Sequence, residues 1–441
     1  MTSSPDAAPR PPAVKGSFGV RQAAFIGVGA MVGAGIFSLL GAAGEVAGSA
    51  VWVSFLIAGV IAVLQGYSFA KFGARYPSAG GLLEYVIRGF GDGHSTGIMA
   101  WLIYSVNAIV TAMVAVSFGS YASSAFAGDS EVWLKVFAVG VVGAMTLLNM
   151  VGSQAVARVQ TVVVVVVVGI LSIFAVATLS NIDPHLLAPS GYPPFKDIVS
   201  GVALTFFAFL GFGVITFTAK DLKEPGRQLP RAMYLALGIA TVIYVAVSLG
   251  VFGTLTVQEV IDSGGTALAV AAEPVLGRAG YWMMSITALF ATSGATNAGL
   301  YPATGLSDQM AAVGQFPPSM AHRVGGRLSV GLLGTAGLAA VLATFFDLTS
   351  IASIGSAVAL LIFTLITAAH LRVREETGAN PVILIIGMLC TGTVFLTFAA
   401  TSLIEEPATI VLLCAIIAIS AAGDLWWKRQ RALRSDDAVP R

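Results

Sequence analysis

The chain has 441 residues, 56% of them hydrophobic and only 10% charged, with a mean hydropathy of +0.88. A soluble domain carries roughly 25% charged residues, and a chain this apolar has too little polar surface to face water, so a bilayer must cover it. The net charge of +1 excludes the basic footprint of a nucleic-acid binder.

In chain order, Met1 to Gly16 is rich in Pro, Ala and Ser, lacks periodicity and reads as a disordered tail. No apolar segment precedes a cleavage site there, so no signal peptide is expected. A spanning helix needs roughly 20 apolar residues. About twelve such runs follow, over 22–44, 49–71, 97–124, 132–151, 157–180, 197–219, 232–253, 281–307, 328–346, 348–370, 381–403 and 407–427. The ninth and tenth are divided only at Phe346-Asp347. The fold class expected is an all-α polytopic membrane protein.

Lys and Arg set the orientation. With the N-terminus cytoplasmic, Lys135, Lys196 and Arg278 alone among the 23 Lys and Arg fall outside. Lys71 and Arg75, Lys220 to Arg231, Arg323 and Arg327, and Lys428 to Arg434 all fall inside. Both termini are therefore expected in the cytoplasm of a cell bounded by this plasma or inner membrane, and the span count is expected to be even.

Ionisable residues at membrane depth mark ion paths and proton relays. Here they sit at span ends, as Glu45, Asp197, Lys220 and His370 do. His94, His185 and His322 fall in expected loops, and the chain has neither an HExxH nor a phosphate loop. Enzymatic chemistry and ATP-driven transport are thus excluded as readings, and no cofactor or metal is expected. Cys390 and Cys414 lie in apolar runs and read as small buried hydrophobes.

Two segments interrupt their spans. In the first, Gly27-Val-Gly-Ala-Met-Val-Gly-Ala-Gly35-Ile-Phe37, four glycines each weaken a helix by about 1 kcal/mol against alanine. Gly29 and Gly33 also form a GxxxG pair suited to close helix packing. In span six, Gly211 and Gly213 interrupt Phe206-Phe-Ala-Phe-Leu-Gly-Phe-Gly213-Val-Ile-Thr-Phe. Spans one and six open two five-helix blocks, and glycine-interrupted segments at matching positions point to an inverted-repeat transporter. Freed backbone groups in lipid must line a wet cavity or hold a ligand. Freed N–H groups at a positive helix end suit a carboxylate, and freed carbonyls suit an ammonium. A zwitterionic α-amino acid needs both, so it is the expected solute for a site without charged side chains.

These residues resemble the amino acid–polyamine–organocation superfamily, and its amino acid permeases in particular. Its GxGIF pattern appears as Gly33-Ala-Gly-Ile-Phe37, and its loop after the second helix as Arg75-Tyr-Pro-Ser-Ala-Gly-Gly-Leu-Leu-Glu-Tyr85. Its sixth helix and exit loop look like Phe207-Ala-Phe-Leu-Gly-Phe212 and Lys223-Glu-Pro-Gly-Arg-Gln-Leu-Pro-Arg231, and Met310 to Pro317 is similar too. The resemblance covers roughly residues 17 to 375.

It implies a first five-helix repeat over 17–180, an inverted second one over 197–370, helices eleven and twelve over 371–427, and a cytoplasmic tail over 428–441. It also implies an amino acid site between the first and sixth helices. The backbone N–H groups around Gly33, Ala34 and Gly35 would take the carboxylate. The carbonyls of Met31, Phe207 and Leu210 would take the ammonium, with Gly211 beside them and the Phe207 ring capping the solute.

Three departures stand out. Gly213 replaces an acidic residue of several relatives, Val162 to Val168 replace a span-five lysine of proton-coupled ones, and Leu83 replaces a loop tyrosine. Proton coupling loses its usual groups. Sodium-coupled proteins of this fold use span-eight hydroxyls, which makes Thr292 and Ser293 a candidate sodium site; the coupling ion, H+ or Na+, stays open. Asn107, Asn297, Tyr67, Tyr104 and Tyr244 read equally as helix-helix glue or pocket lining. Transport of an organic amine or inorganic cation on the same fold, and a solute sensor without flux, stay open beside the leading expectation of a permease for neutral amino acids.

Overall fold

The computed structural model describes residues 19–77, 81–151, 153–324, 328–403 and 407–436; the expected N-terminal tail lies outside the described residues. The chain is helical almost throughout. In order come α1 (Val20–Ala34), α2 (Ile36–Ala47), α3 (Val51–Arg75), α4 (Leu82–Phe90), α5 (His94–Phe126), α6 (Glu131–Val151), α7 (Ser153–Ser180), α8 (Phe195–Phe207), α9 (Val214–Phe217) and α10 (Pro225–Phe252). Then follow α11 (Val257–Ser263), α12 (Ala267–Ala312), α13 (Val330–Phe345), α14 (Leu348–Arg372), α15 (Arg374–Thr377), α16 (Pro381–Phe398) and α17 (Pro407–Asp436). A two-residue hairpin, β1 (Arg323–Val324) with β2 (Leu328–Ser329), separates α12 from α13.

Every expected apolar run falls on a helix or a broken pair of helices. Among the described residues, eight stretches are long and apolar enough to cross a bilayer, or nine when α8 and the helical turn after it count as one bent span. One of the eight, Ile36–Arg75, has 40 residues, about 60 Å if straight, which is twice a hydrocarbon core of about 30 Å. Gly48, at φ +54° and ψ −142°, splits it into α2 and α3, a conformation that costs glycine nothing. Gly277, at φ +69°, kinks α12 in the same way ahead of the expected eighth span. The short α13 is also apolar. Asp347 accepts from Ser350 N at 2.8 Å and caps α14, so the division at Phe346-Asp347 holds.

The segment from 428, expected as a cytoplasmic tail, is helical as far as Asp436, because α17 runs on past the apolar run. There Lys428 pairs with Asp424 one turn back in the same helix, and Arg431 donates to the Gly314 carbonyl. The first span is also less broken than expected: only Gly35, at φ −93° and ψ −72°, separates α1 from α2.

Helix α1 lies against α10, α12 and α7; α3 packs on α10 and α8; α5 packs on α12, α6, α13 and α17. Outward-facing apolar side chains such as Leu147, Val162, Leu389 and Val411 are exposed, as lipid-facing surfaces must be. The chain is therefore a multi-pass membrane protein.

One buried charge cluster fastens α17. Asp424 is fully buried, and its carboxylate meets His94 Nδ1 at 2.6 Å and Lys428 Nζ at 3.1 Å. Trp427 Nε1 donates to the Gly314 carbonyl at 2.9 Å. Removing one partner of a buried pair strands the other, at about 3–5 kcal/mol when the remaining charge stays buried. Lys428 and His94 are partly exposed, so we expect Asp424→Ala to cost about 2 kcal/mol. Thermal unfolding in detergent should show a lower melting temperature for Asp424→Ala, with Asp424→Asn in between; an unchanged temperature would remove the cluster from the fold's stability.

Candidate solute site at the paired helix breaks

Span six carries the clear break. Helix α8 ends at Phe207, Leu210–Gly213 forms a 3-10 turn, α9 follows, and the two halves are bent by 41°. The turn is held by short-range bonds: Ala208 N donates to Thr205 O at 3.1 Å, Phe209 N to Phe206 O at 2.9 Å and Phe212 N to Phe209 O at 3.0 Å. The Ala208 carbonyl, which regular helix geometry would cover, accepts from the buried Tyr244 hydroxyl at 3.1 Å. Tyr244 packs there between Phe55 and Phe209, with ring centroids 5.3 and 5.0 Å away.

In span one, Gly35 N donates to the Met31 carbonyl at 2.8 Å, and Leu39 N to the Gly35 carbonyl at 3.1 Å. The groups expected to be freed at this break therefore satisfy one another along the helix. Lipid offers no other partner, and one residue of distorted helix is enough to keep the bonds.

The glycines let the two breaks touch. A Cβ on Gly35 would stand 2.4 Å from Ala208 Cβ and 2.8 Å from the Tyr244 hydroxyl. One on Gly211 would stand 2.5 Å from the backbone of Ala30 and Met31. One on Gly33 would stand 2.3 Å from the Ala291 carbonyl of α12. Spans one, six and eight thus meet backbone to backbone. Phe207 is buried, away from lipid, with its ring over Gly355 of α14.

Beside the breaks lies a cavity of about 90 Å³, lined by Ala30, Leu210, Gly211 and Gly213 together with residues of α5, α12 and α14. Its wall is apolar, with Ile103, Val106, Val110, Val214, Phe217 and Phe363 prominent, and it contains no charged side chain. Asn107 is its amide, and Asn107 Nδ2 is buried without a hydrogen-bond partner among the described residues. Gly213 leaves open space where a side chain would begin. Leu82 and Phe217 place this cavity toward the end where Lys71, Arg75 and Lys220 to Arg231 lie. A second hollow of about 500 Å³ lies at the other end, lined by Gly41, Glu45, Lys135, Gly264 and Asp347 among others.

The cavity brings Leu210 and Gly211 together, with Ala30 next to Met31. Gly33 instead lines a void of about 10 Å³ with Val163, Val164, Val167 and Ala291. Ala34 lies at the last turn of α1. Thr292 is buried and donates to Ala288 O at 2.6 Å, while Ser293, half-buried, donates to Phe290 O at 3.0 Å. Asn297 accepts from Asn149 at 2.8 Å and joins α12 to α6. Tyr104 donates to Gly331 O at 2.7 Å, and Tyr67 accepts from Asn380 N at 2.7 Å, so both link helices. Tyr244 and Asp424 gained no distinct role from the sequence. Nothing local marks Tyr244, whose partner lies 36 residues away; Asp424 and Lys428 stand four apart, the spacing of a helical ion pair.

Residues 18–422 match the family model described as amino acid permease. The chain is 30% identical to the inner membrane transport protein YbaT of Escherichia coli (strain K12), over 92% of this chain and 95% of that protein. It is 25% identical to the branched-chain amino acid permease BcaP of Bacillus subtilis (strain 168), over 53% of this chain and 54% of the relative. It is 26% identical to the mitochondrial cationic amino acid transporter 3 of Arabidopsis thaliana, over 79% of this chain and 61% of the relative. A glycine-lined meeting of two interrupted spans beside an uncharged cavity, in a chain matched almost end to end, identifies it as a transporter of the amino acid permease family.

Proposed function

We propose that this protein is a secondary transporter that moves neutral amino acids, chiefly those with apolar side chains, across the membrane by alternating access. The observation that carries this reading is the uncharged cavity beside the touching breaks of spans one and six. When the bond from Gly35 N to the Met31 carbonyl opens, an α-amino acid presents a carboxylate for the N–H groups around Gly33, Ala34 and Gly35 and an ammonium for the carbonyls of Met31, Phe207 and Leu210. Its side chain enters the space beside Gly211 and Gly213, and the Asn107 amide donates to an acceptor on the solute.

The relatives' names point to both branched-chain and cationic solutes, and the uncharged cavity supports the former. A guanidinium or ammonium side chain would lose its water to Ile103, Val106, Val214 and Phe363 without a counter-charge, which is expensive. On this reading residues 17–180 and 197–370 form the two inverted repeats, both termini are cytoplasmic, and the protein lies in the inner membrane. The 90 Å³ cavity then faces the cytoplasm and the 500 Å³ hollow the outside, with the breaks between them. Thr292 and Ser293 are the residues to probe for sodium.

Counterflow in proteoliposomes tests the substrate class without assuming a coupling ion. Vesicles loaded with unlabelled neutral amino acids should accumulate labelled leucine or valine, with arginine a poor competitor. Arginine competing as well as leucine refutes the neutral preference, and accumulation of amines but no amino acid shifts the solute class.

Substitutions at the breaks separate packing from open space. Gly33→Ala and Gly211→Ala each force a methyl into backbone atoms, an overpacking cost of about 1–3 kcal/mol, and should reduce flux at least about fivefold. Gly213→Ala meets nothing within 4 Å and should stay within about twofold. Equal losses at all three positions would mean that the contacts described do not govern the site. Gly213→Asp should lower leucine flux several-fold and raise relative uptake of lysine or arginine, since it sets a carboxylate in the cavity wall.

A further inference from the structure

Tyrosines aside, the described residues contain only two buried side chains able to ionise: Asp424, which His94 and Lys428 already engage, and His370 near the end of α14. His370 uses both ring nitrogens. Thr377 Oγ1 donates to the Arg374 carbonyl at 3.0 Å, so it accepts from Nε2–H at 2.8 Å. Nδ1 is then an acceptor, and the Ser68 hydroxyl of α3 donates to it at 2.8 Å. The imidazole is thereby held as its neutral Nε2–H tautomer, with Phe72 of α3 at 4.1 Å between centroids.

This ring is the centre of a clamp. Around it, Lys71 Nζ donates to Gly378 O at 3.2 Å, Tyr76 donates to Glu376, and Asn380 N donates to the Tyr67 hydroxyl at 2.7 Å. Gln65 donates to Gly387 O at 3.0 Å and accepts from Thr367 at 2.7 Å. The last turns of α3 are thus tied to α14, α15 and α16 by bonds between segments some 300 residues apart in sequence.

An aromatic column joins the clamp to the solute cavity. Phe363 lines the cavity, and its ring meets Phe69 at 5.0 Å and Phe212, within the span-six break, at 5.5 Å. Phe69 meets Tyr85 at 5.9 Å, and Tyr85 stacks on Phe72 at 4.5 Å, directly against His370. These rings form one contiguous packed route between clamp and cavity, and coupling along it is what the transport arm below measures.

We propose that His370 is a proton-binding site coupled to transport: protonation at Nδ1 releases the clamp between α3 and α14–α15. The proton converts Nδ1 from acceptor to donor, so the Ser68 hydroxyl must turn away to another acceptor such as the Leu64 carbonyl one turn back. Charged groups on the surrounding elements are Lys71 and Arg75 on α3, Glu84 and Arg88 on α4, Arg372 on α14, and Arg374, Glu375 and Glu376 on α15. Helix α16 carries none. This site stands in a chain whose span five and Gly213 lack the usual proton-coupling groups, and it rests on the transport reading only for its link to flux.

The test has two arms. Hydrogen–deuterium exchange of peptides over 374–380 is measured on the full chain in nanodiscs at about pH 5.5 and about pH 8, either side of ordinary imidazole titration, and corrected for intrinsic rates. A released imidazole that titrates near the ordinary value of about 6.5 favours opening by up to about tenfold across this window; wild-type protection is expected to fall at least about threefold on acidification, and His370→Gln should show no such fall. Ser68→Ala should already be less protected at about pH 8. Wild-type protection that ignores pH, or an equal change in His370→Gln, overturns the proposal. In the second arm, leucine counterflow should follow pH in wild type and lose that dependence in His370→Gln; a retained dependence also overturns it. Absence of flux in every variant would refute the transport reading, while exchange alone still decides whether His370 holds the clamp.

Discussion

The centre of this bundle depends on backbone meeting backbone where side chains are missing. Gly33 lies against the Ala291 carbonyl, Gly35 against Ala208, and Gly211 against Ala30 and Met31, each leaving less room than one methyl needs. Such approach costs helix propensity, and three interacting spans recover it through contact that larger residues would prevent. The same glycines place the weakest stretches of two helices side by side, where the proposed solute would exchange for internal bonds. Tyr244 completes this arrangement by giving the Ala208 carbonyl a partner that lipid cannot supply.

A second constraint follows from the low dielectric. The cavity at the breaks holds no charged side chain, so the proposed solute would be balanced there by backbone dipoles alone. Dipoles at helix ends provide about half an elementary charge each, which matches the two opposite charges of an amino acid headgroup and leaves nothing for a third. Substrate preference on this account is set by what the site lacks.

Tyrosines aside, the buried ionisable side chains among the described residues lie toward the Lys- and Arg-rich end and hold polar partners. Asp424 fastens α17 to the start of α5, and His370 joins α3 to α14 and α15. Helices outside the two expected repeats are thus tied to the repeats by polar contacts, while their outer faces stay apolar for lipid. Polar ties of this kind are directional and break in discrete steps, unlike apolar packing, which slides.

The sequence by itself determined the class and pointed to the paired glycine breaks. Twelve apolar runs, an asymmetric distribution of Lys and Arg, and glycine interruptions in Gly27 to Gly35 and Phe206 to Gly213 are local signals, because helix length and helix weakness are encoded by neighbouring residues. Only the tertiary structure decided that span one is interrupted at Gly35 alone while span six bends by 41°, since that choice depends on which partners the backbone finds across the bundle. It also decided which residues face the cavity, that Asn107 does while Asn297 bonds Asn149, and that Tyr244, His370 and Asp424 hold partners far away in the chain. Those assignments rest on contacts between distant segments, and no local pattern of residues records which distant atoms will meet.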